Sequence, residues 1–150
     1  MADNDDEQWA RAKASAMASL AMREHSVLEL QHKLTGKSFP ESVVAPLLAE
    51  LQRDNLLSNE RFAEMYWRQR ADKGFGPTKI RYELQQKGLD DALIQQGLQA
   101  SEVDFYAVIA QVYNKKYPGE PWQDLKEKAK RQGFLYRRGF AADYIKTVLD

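Results

Sequence analysis

The chain contains no cysteine. That excludes disulfides, zinc ribbons, iron–sulfur ligation and thiol catalysis, and it fits a reducing compartment. It also lacks an excess of either charge: 22 Lys and Arg balance 22 Asp and Glu in 150 residues. No global field steers such a chain to nucleic acid, so any such affinity must come from local patches. No apolar run approaches the roughly 18 residues of a membrane span. The first residues carry Asp3, Asp5, Asp6 and Glu7, where a signal peptide needs a basic start and an apolar stretch. We expect a cytoplasmic protein without membrane association, with a flexible acidic tail over residues 1–7. Chemistry is equally sparse. His25 and His32 lie seven apart, outside the spacing of helical metal sites, and no HExxH occurs. Both are expected to face solvent or cap a helix. Gly74-Phe75-Gly76 opens a GxG, but Lys79 follows where a third glycine belongs, and no strand precedes it. With no GxSxG either, we expect no enzyme and no cofactor.

What is present is helical periodicity. The chain is 43% hydrophobic and 11% aromatic, enough for a packed core. Phe105, Val108, Ile109, Val112 and Tyr113 share one helix face, and Tyr117-Pro118-Gly119 ends that helix. Ala10 to Arg23 also reads as helix. Another opens at Ser58 and runs to about Lys73, with Phe62, Met65 and Tyr66 inward. Gly74 to Pro77 is a turn, with Pro77 suited to the first position of the next helix. Gly76 is expected to need a backbone conformation that β-branched residues resist. No alternating strand is found.

Aligning helix junctions reveals a repeat. Glu29-Leu30-Gln31-His32-Lys33 resembles Glu83-Leu84-Gln85-Gln86-Lys87, and Leu135 to Arg138 falls at a corresponding place. Apolar triplets follow: Phe39, Val44, Leu48; Leu89, Ile94, Leu98; Phe140, Ile145, Leu149. The first two members of each fit a hydrophobic staple, with Asp90 as N-cap in the second copy. We therefore expect an all-α fold of three tandem three-helix repeats, 8–57, 58–100 and 101–150, in an elongated curved array. On this alignment the first copy inserts Thr35-Gly36-Lys37-Ser38, and Pro46 should kink its third helix. Leu84, Ile94, Leu98, Leu135, Ile145 and Leu149 should be buried.

Charge is uneven along this array. Arg61, Arg68, Arg70, Lys73, Lys79, Arg81 and Lys87 outnumber Glu64, Asp72 and Glu83. Further on, Lys115, Lys116, Lys126, Lys128, Lys130, Arg131, Arg137 and Arg138 outnumber Glu120, Asp124 and Glu127. Helical spacing turns Arg61, Arg68 and Lys79 outward in the second unit, and Lys126, Lys130 and Arg137 in the third. Arg70 lies nearer the aromatic side, where stacking or pairing competes with ligand contact. Bases beside aromatics such as Phe134 and Tyr136 can bind single strands by stacking and phosphate contact.

Three stretches carry a family resemblance: Arg61-Phe62-Ala63; Arg68 to Pro77, reading RQRADKGFGP; and Lys79 to Leu89, reading KIRYELQQKGL. Leu56 to Asn59, Ser26 to Lys33 and Phe134 to Phe140 extend it. These closely resemble the bacterial RecX proteins over nearly the whole chain. The resemblance implies tandem three-helix repeats that lie along the RecA nucleoprotein filament. It implies inhibition of filament extension, and with it of ATP hydrolysis, strand exchange and support of LexA cleavage, in recombination, DNA repair and the SOS response. Some family members also bind DNA, single- or double-stranded. The candidate contacts to RecA or DNA are Arg61, Arg68, Arg70, Lys73, Lys79, Arg81, Lys87, Lys126, Lys130, Arg131, Arg137 and Arg138. Phe62, Gly76, Pro77, Leu84 and Gly88 are expected to serve the fold. A monomer is expected. The alternative is a DNA-binding helical-repeat module that acts by competing for DNA.

Overall fold

A computed structural model of the chain describes residues 2–150; Met1 lies outside them. Among the described residues there are nine α-helices and no strand. They form three consecutive units. The first comprises α1 (Ala2–Met22), α2 (Val27–Gly36) and α3 (Glu41–Arg53). The second comprises α4 (Asn59–Asp72), α5 (Pro77–Gln86) and α6 (Asp91–Ser101), and the third α7 (Phe105–Lys116), α8 (Leu125–Arg137) and α9 (Ala142–Leu149). The acidic residues set apart as a tail belong to α1, where Asp5, Asp6 and Glu7 are exposed near its start. Carboxylates suit the positive end of a helix dipole there.

Short polar residues start most of these helices by accepting from free backbone N–H groups. Ser58 accepts from Arg61, Asp90 from Leu93, Asp104 from Tyr106 and Ala107, and Asp124 from Glu127. Ser26 forms a reciprocal capping box with Glu29. Pro77 does occupy the first position of α5. Pro46 lies on the exposed side of α3, which continues through it as one helix.

The middle helix of each unit ends in one and the same device. In each, the N–H of the second residue beyond the cap bonds to a leucine carbonyl five residues back. The pairs are Phe39 to Leu34, Leu89 to Leu84 and Phe140 to Leu135, at 3.3, 3.3 and 3.2 Å. Between them sits a residue with positive φ: Ser38 at 70°, Gly88 at 87° and Gly139 at 104°. This is a Schellman turn, in which an αL residue lets the helix carbonyls find donors. It corrects the sequence alignment of the first unit. Leu34 to Phe39, not Leu30 onward, matches Leu84 to Leu89, so Thr35 to Ser38 are the end of α2 and its turn, and no insertion exists. The apolar pattern misled because Leu30 and Leu34 are both fully buried one turn apart.

The apolar faces build two cores, not three. Ala12, Ala16, Leu30, Leu34, Val44, Leu47, Leu51 and Leu57 pack within the first unit. A second, continuous core runs through both other units, from Phe62, Trp67, Ile80 and Leu84 to Phe105, Ile109, Leu135, Phe140 and Ile145. Leu98, expected in that core, is only partly buried and packs on its margin, as Phe39 does in the first unit. Trp67, which spacing alone did not single out, is fully buried and donates its indole N–H to the Ile94 carbonyl at 2.9 Å. Beside it α4 and α6 approach closely: a Cβ on Gly97 would fall 2.6 Å from that of Ala63.

Candidate binding surface at the junction of the second and third units

The third unit docks on the second through backbone as well as side chains. The Gly76 N–H donates to the Arg138 carbonyl at 2.8 Å, and the Thr78 N–H to the Gly139 carbonyl at 3.0 Å. Gly76 itself has an ordinary extended conformation, φ −90° and ψ 169°. The sequence-based reason for a glycine there is thus corrected. What excludes a side chain is proximity, since a Cβ would lie 2.4 Å from the Gly139 oxygen. Gly139 meets both demands, with φ +104° and a Cβ position only 2.5 Å from that of Lys79.

This docking organises the cations. The Phe75 ring, just before Gly76, is contacted by Arg70 at 4.1 Å, Lys79 at 4.9 Å and Arg138 at 5.1 Å. Each such contact contributes on the order of 0.5–2 kcal/mol, according to exposure. Arg70 is further held by both carboxylate oxygens of Glu83, at 2.9 Å each. Tyr66 also donates to Glu83. Burial and that carboxylate push its phenol up to about 12, so it remains a donor at any ordinary pH.

The twelve candidate cations therefore divide. Several are committed to the fold. Arg131 is 2% exposed, bonded to the Tyr113 hydroxyl, the Glu120 carbonyl and Glu127, and stacked over Tyr117. It faces the interior, not a partner. Arg61 is tied to Glu24 and Asn55, and Lys87 to Glu29. Arg68 pairs with Glu64 and caps the carbonyls of Ala100 and Ser101, and Arg81 lies over Trp67. Arg138 donates to the Lys73 carbonyl. Lys73, Lys79, Lys126, Lys130 and Arg137 have no carboxylate partner among the described residues.

Two grooves flank the junction and collect residues from both basic segments. One, of about 450 Å³, is lined by Lys73, Lys115, Lys116 and Arg138 over Val108, Val112 and Phe134. The other, of about 620 Å³, brings Lys79 of α5 beside Arg137 of α8, with Tyr82 and Tyr136. The sequence placed these bases in separate patches and named neither Tyr82 nor Lys115 and Lys116 as contacts. Only packing of α8 against the turn at 74–77 joins them. Lys126 and Lys130 lie on the exposed side of α8, outside both grooves.

No cluster of His, Asp or Glu that could hold a metal occurs among the described residues. His25 is not solvent-facing: it is 3% exposed, its Nδ1 paired with the Arg23 carbonyl at 3.0 Å at the end of α1. Burial lowers its pKa. No helix of the described residues is long and apolar enough to cross a membrane. Three-helix units in series define a helical-repeat protein.

Comparison with known proteins gives the particular family. Models of the first, second and third three-helix domains of RecX match residues 12–51, 58–98 and 102–149. "Regulatory protein RecX" of Pseudomonas entomophila (strain L48) is 39% identical over 137 residues, covering 91% of this chain and 88% of that protein. The protein of the same name from Halorhodospira halophila is 36% identical over 89% of this chain and 83% of its own. Two crystal structures share the fold. One, of regulatory protein RecX, gives a TM-score of 0.78 at 24% identity, over 98% of this chain and 74% of that one. The other, RecX from Lactobacillus salivarius, gives 0.74 at 21%, over 95% and 94%. The chain belongs to the RecX family of regulatory proteins, which are not enzymes.

Proposed function

We propose that this protein binds the RecA–DNA filament in the cytoplasm as a single copy. There it inhibits filament extension and the activities that depend on it: ATP hydrolysis, strand exchange and support of LexA cleavage. The observation that carries this reading, beside family membership, is the convergence of unpaired cations from two units at one junction. A neutral chain can engage an acidic, phosphate-bearing filament only through such a local patch. The test is RecA ATP hydrolysis on single-stranded DNA, with the protein added at substoichiometric and stoichiometric ratios. Inhibition is expected for the parent, and much less for Lys79→Glu with Arg137→Glu at unchanged helicity. Equal inhibition by parent and variant would move the contact elsewhere. The paired changes Arg68→Glu with Lys79→Glu, and Lys130→Glu with Arg137→Glu, ask whether the contact spreads along both units.

The second reading, competition for DNA, is favoured by the tyrosines beside Arg137. Salt separates the two. Phosphate-driven binding to single strands weakens with a log–log slope of about −0.7 per phosphate contact. Inhibition through protein contacts falls less steeply with salt and persists on preassembled filaments.

A further inference from the structure

Tyr82 and Tyr136 stand apart from every other aromatic residue described. They are 62% and 73% exposed. Neither has a ring partner, a cation over its face or a hydrogen bond at its hydroxyl. Tyr106, also exposed, stacks on Tyr144 at 4.7 Å, and Phe134 is covered by Lys116, Arg138 and Tyr117. The two free rings come from sequence positions 54 apart, yet line one groove with Lys79 and Arg137. The carboxylate in that groove, Glu83, is neutralised by Arg70. Tyr136 also lines a second depression, which carries Lys146 and the Asp150 carboxylate, the latter paired with Lys128. With these exposures and no ring, cation or hydroxyl partner, both ring faces are open to a ligand.

We propose that Tyr82 and Tyr136 form a stacking site for unpaired nucleobases, with Lys79 and Arg137 contacting the adjoining phosphates of a single strand. Bases offer π-faces that pack on tyrosine regardless of sequence, and cations beside the rings follow the backbone. In duplex DNA those faces are covered by neighbouring base pairs, so the site selects single strands. The other groove does not fit this ligand, because its one ring, Phe134, is already covered on its face and edge. The inference rests on the DNA-binding reading above and gives it a subsite and a strand preference.

The test compares the parent with Tyr82→Ala/Tyr136→Ala and Tyr82→Phe/Tyr136→Phe, each checked for parental helicity and melting. Binding is read by anisotropy of labelled oligothymidylate and of an abasic strand of equal length. The alanine pair is expected to lose roughly tenfold or more in affinity for oligothymidylate and little for the abasic strand, while the phenylalanine pair keeps the parental value. Unchanged binding by the alanine pair, or an equal loss on the abasic strand, overturns the site. So does an alanine pair that binds oligothymidylate normally but no longer inhibits RecA, which would make the ridge a protein contact. If the parent leaves RecA untouched while the alanine pair loses oligothymidylate, the stacking site stands and the filament reading falls.

Discussion

The two junctions between units repeat one geometry with opposite chemistry. In both, the turn after the middle helix of one unit presses on the start of the preceding unit's middle helix. Gly88 meets Leu28, and Gly139 meets Gly76 and Lys79. The cap residue before each glycine also reaches back: Lys87 to the Glu29 carboxylate, Arg138 to the Lys73 carbonyl. Yet the first junction is polar. Asn59 accepts from the Val27 N–H, Arg61 pairs with Glu24, and Lys87 and Arg23 share Glu29. The second is an apolar continuation of one core, with Trp67 edge-on to Phe105 and two backbone hydrogen bonds. Apolar burial resists salt and pH, whereas paired charges respond to both. The lesson is that a repeat keeps its contact geometry while the joint's cohesion is set by what fills it.

The strongest test of this contrast is Gly76→Val. Its branched side chain meets carbonyl backbone that cannot yield, and a loss of about 4 kcal/mol is expected, in the range of severe steric substitutions. Thermal melting checks it; a parental Tm would mean that the second joint does not depend on this approach. Next is Phe105→Ala, which removes a ring from the shared core and should cost about 3 kcal/mol in urea unfolding. It should loosen the second and third units while leaving amide exchange in the first unchanged.

Glu29→Gln attacks the polar joint. Burial raises the Glu29 carboxyl, but hydrogen bonds from Arg23, the Ser26 N–H and Lys87 outweigh this and hold it at about 2. The neutral variant should lose about 1–3 kcal/mol, less at high salt. Because the folded-state value lies below that of the unfolded chain, the contribution is complete above about pH 4.5 and disappears as pH falls toward 2. Amide exchange in the first unit should accelerate across that window in the parent but not in Glu29→Gln. The smallest effect is Ser38→Gly. Ser38 holds φ +70° on an exposed turn, so glycine relieves strain without opening a contact, for a gain of at most about 1 kcal/mol. A loss instead would show that this turn has another constraint.

Much of the scaffold was legible because helix signals are local. The cap at Asp90, the helix opening at Ser58, Pro77 at its helix start, and the inward Ile94, Ile145 and Leu149 follow from spacing within one or two turns. The same locality produced the misreadings. A helix face repeats every turn, so Leu30 could stand in for Leu34 until the turn hydrogen bonds set the register. Gly76 looked like a conformational glycine because the residue that excludes its side chain is 63 positions away. The candidate site was the least legible part. Composition supplied the cations, but a charge's role depends on which carboxylate, carbonyl or ring lies beside it. Arg70, Arg131 and Arg138 are spent on the fold, and Lys79 with Arg137 is left without a carboxylate partner, through contacts that no spacing encodes. The sequence by itself determined an all-helical chain of three related units with two locally basic segments. Tertiary structure alone decided which units share a core, why glycine is required at their joint, and which cations and tyrosines face outward, because those depend on distances between segments far apart in the chain.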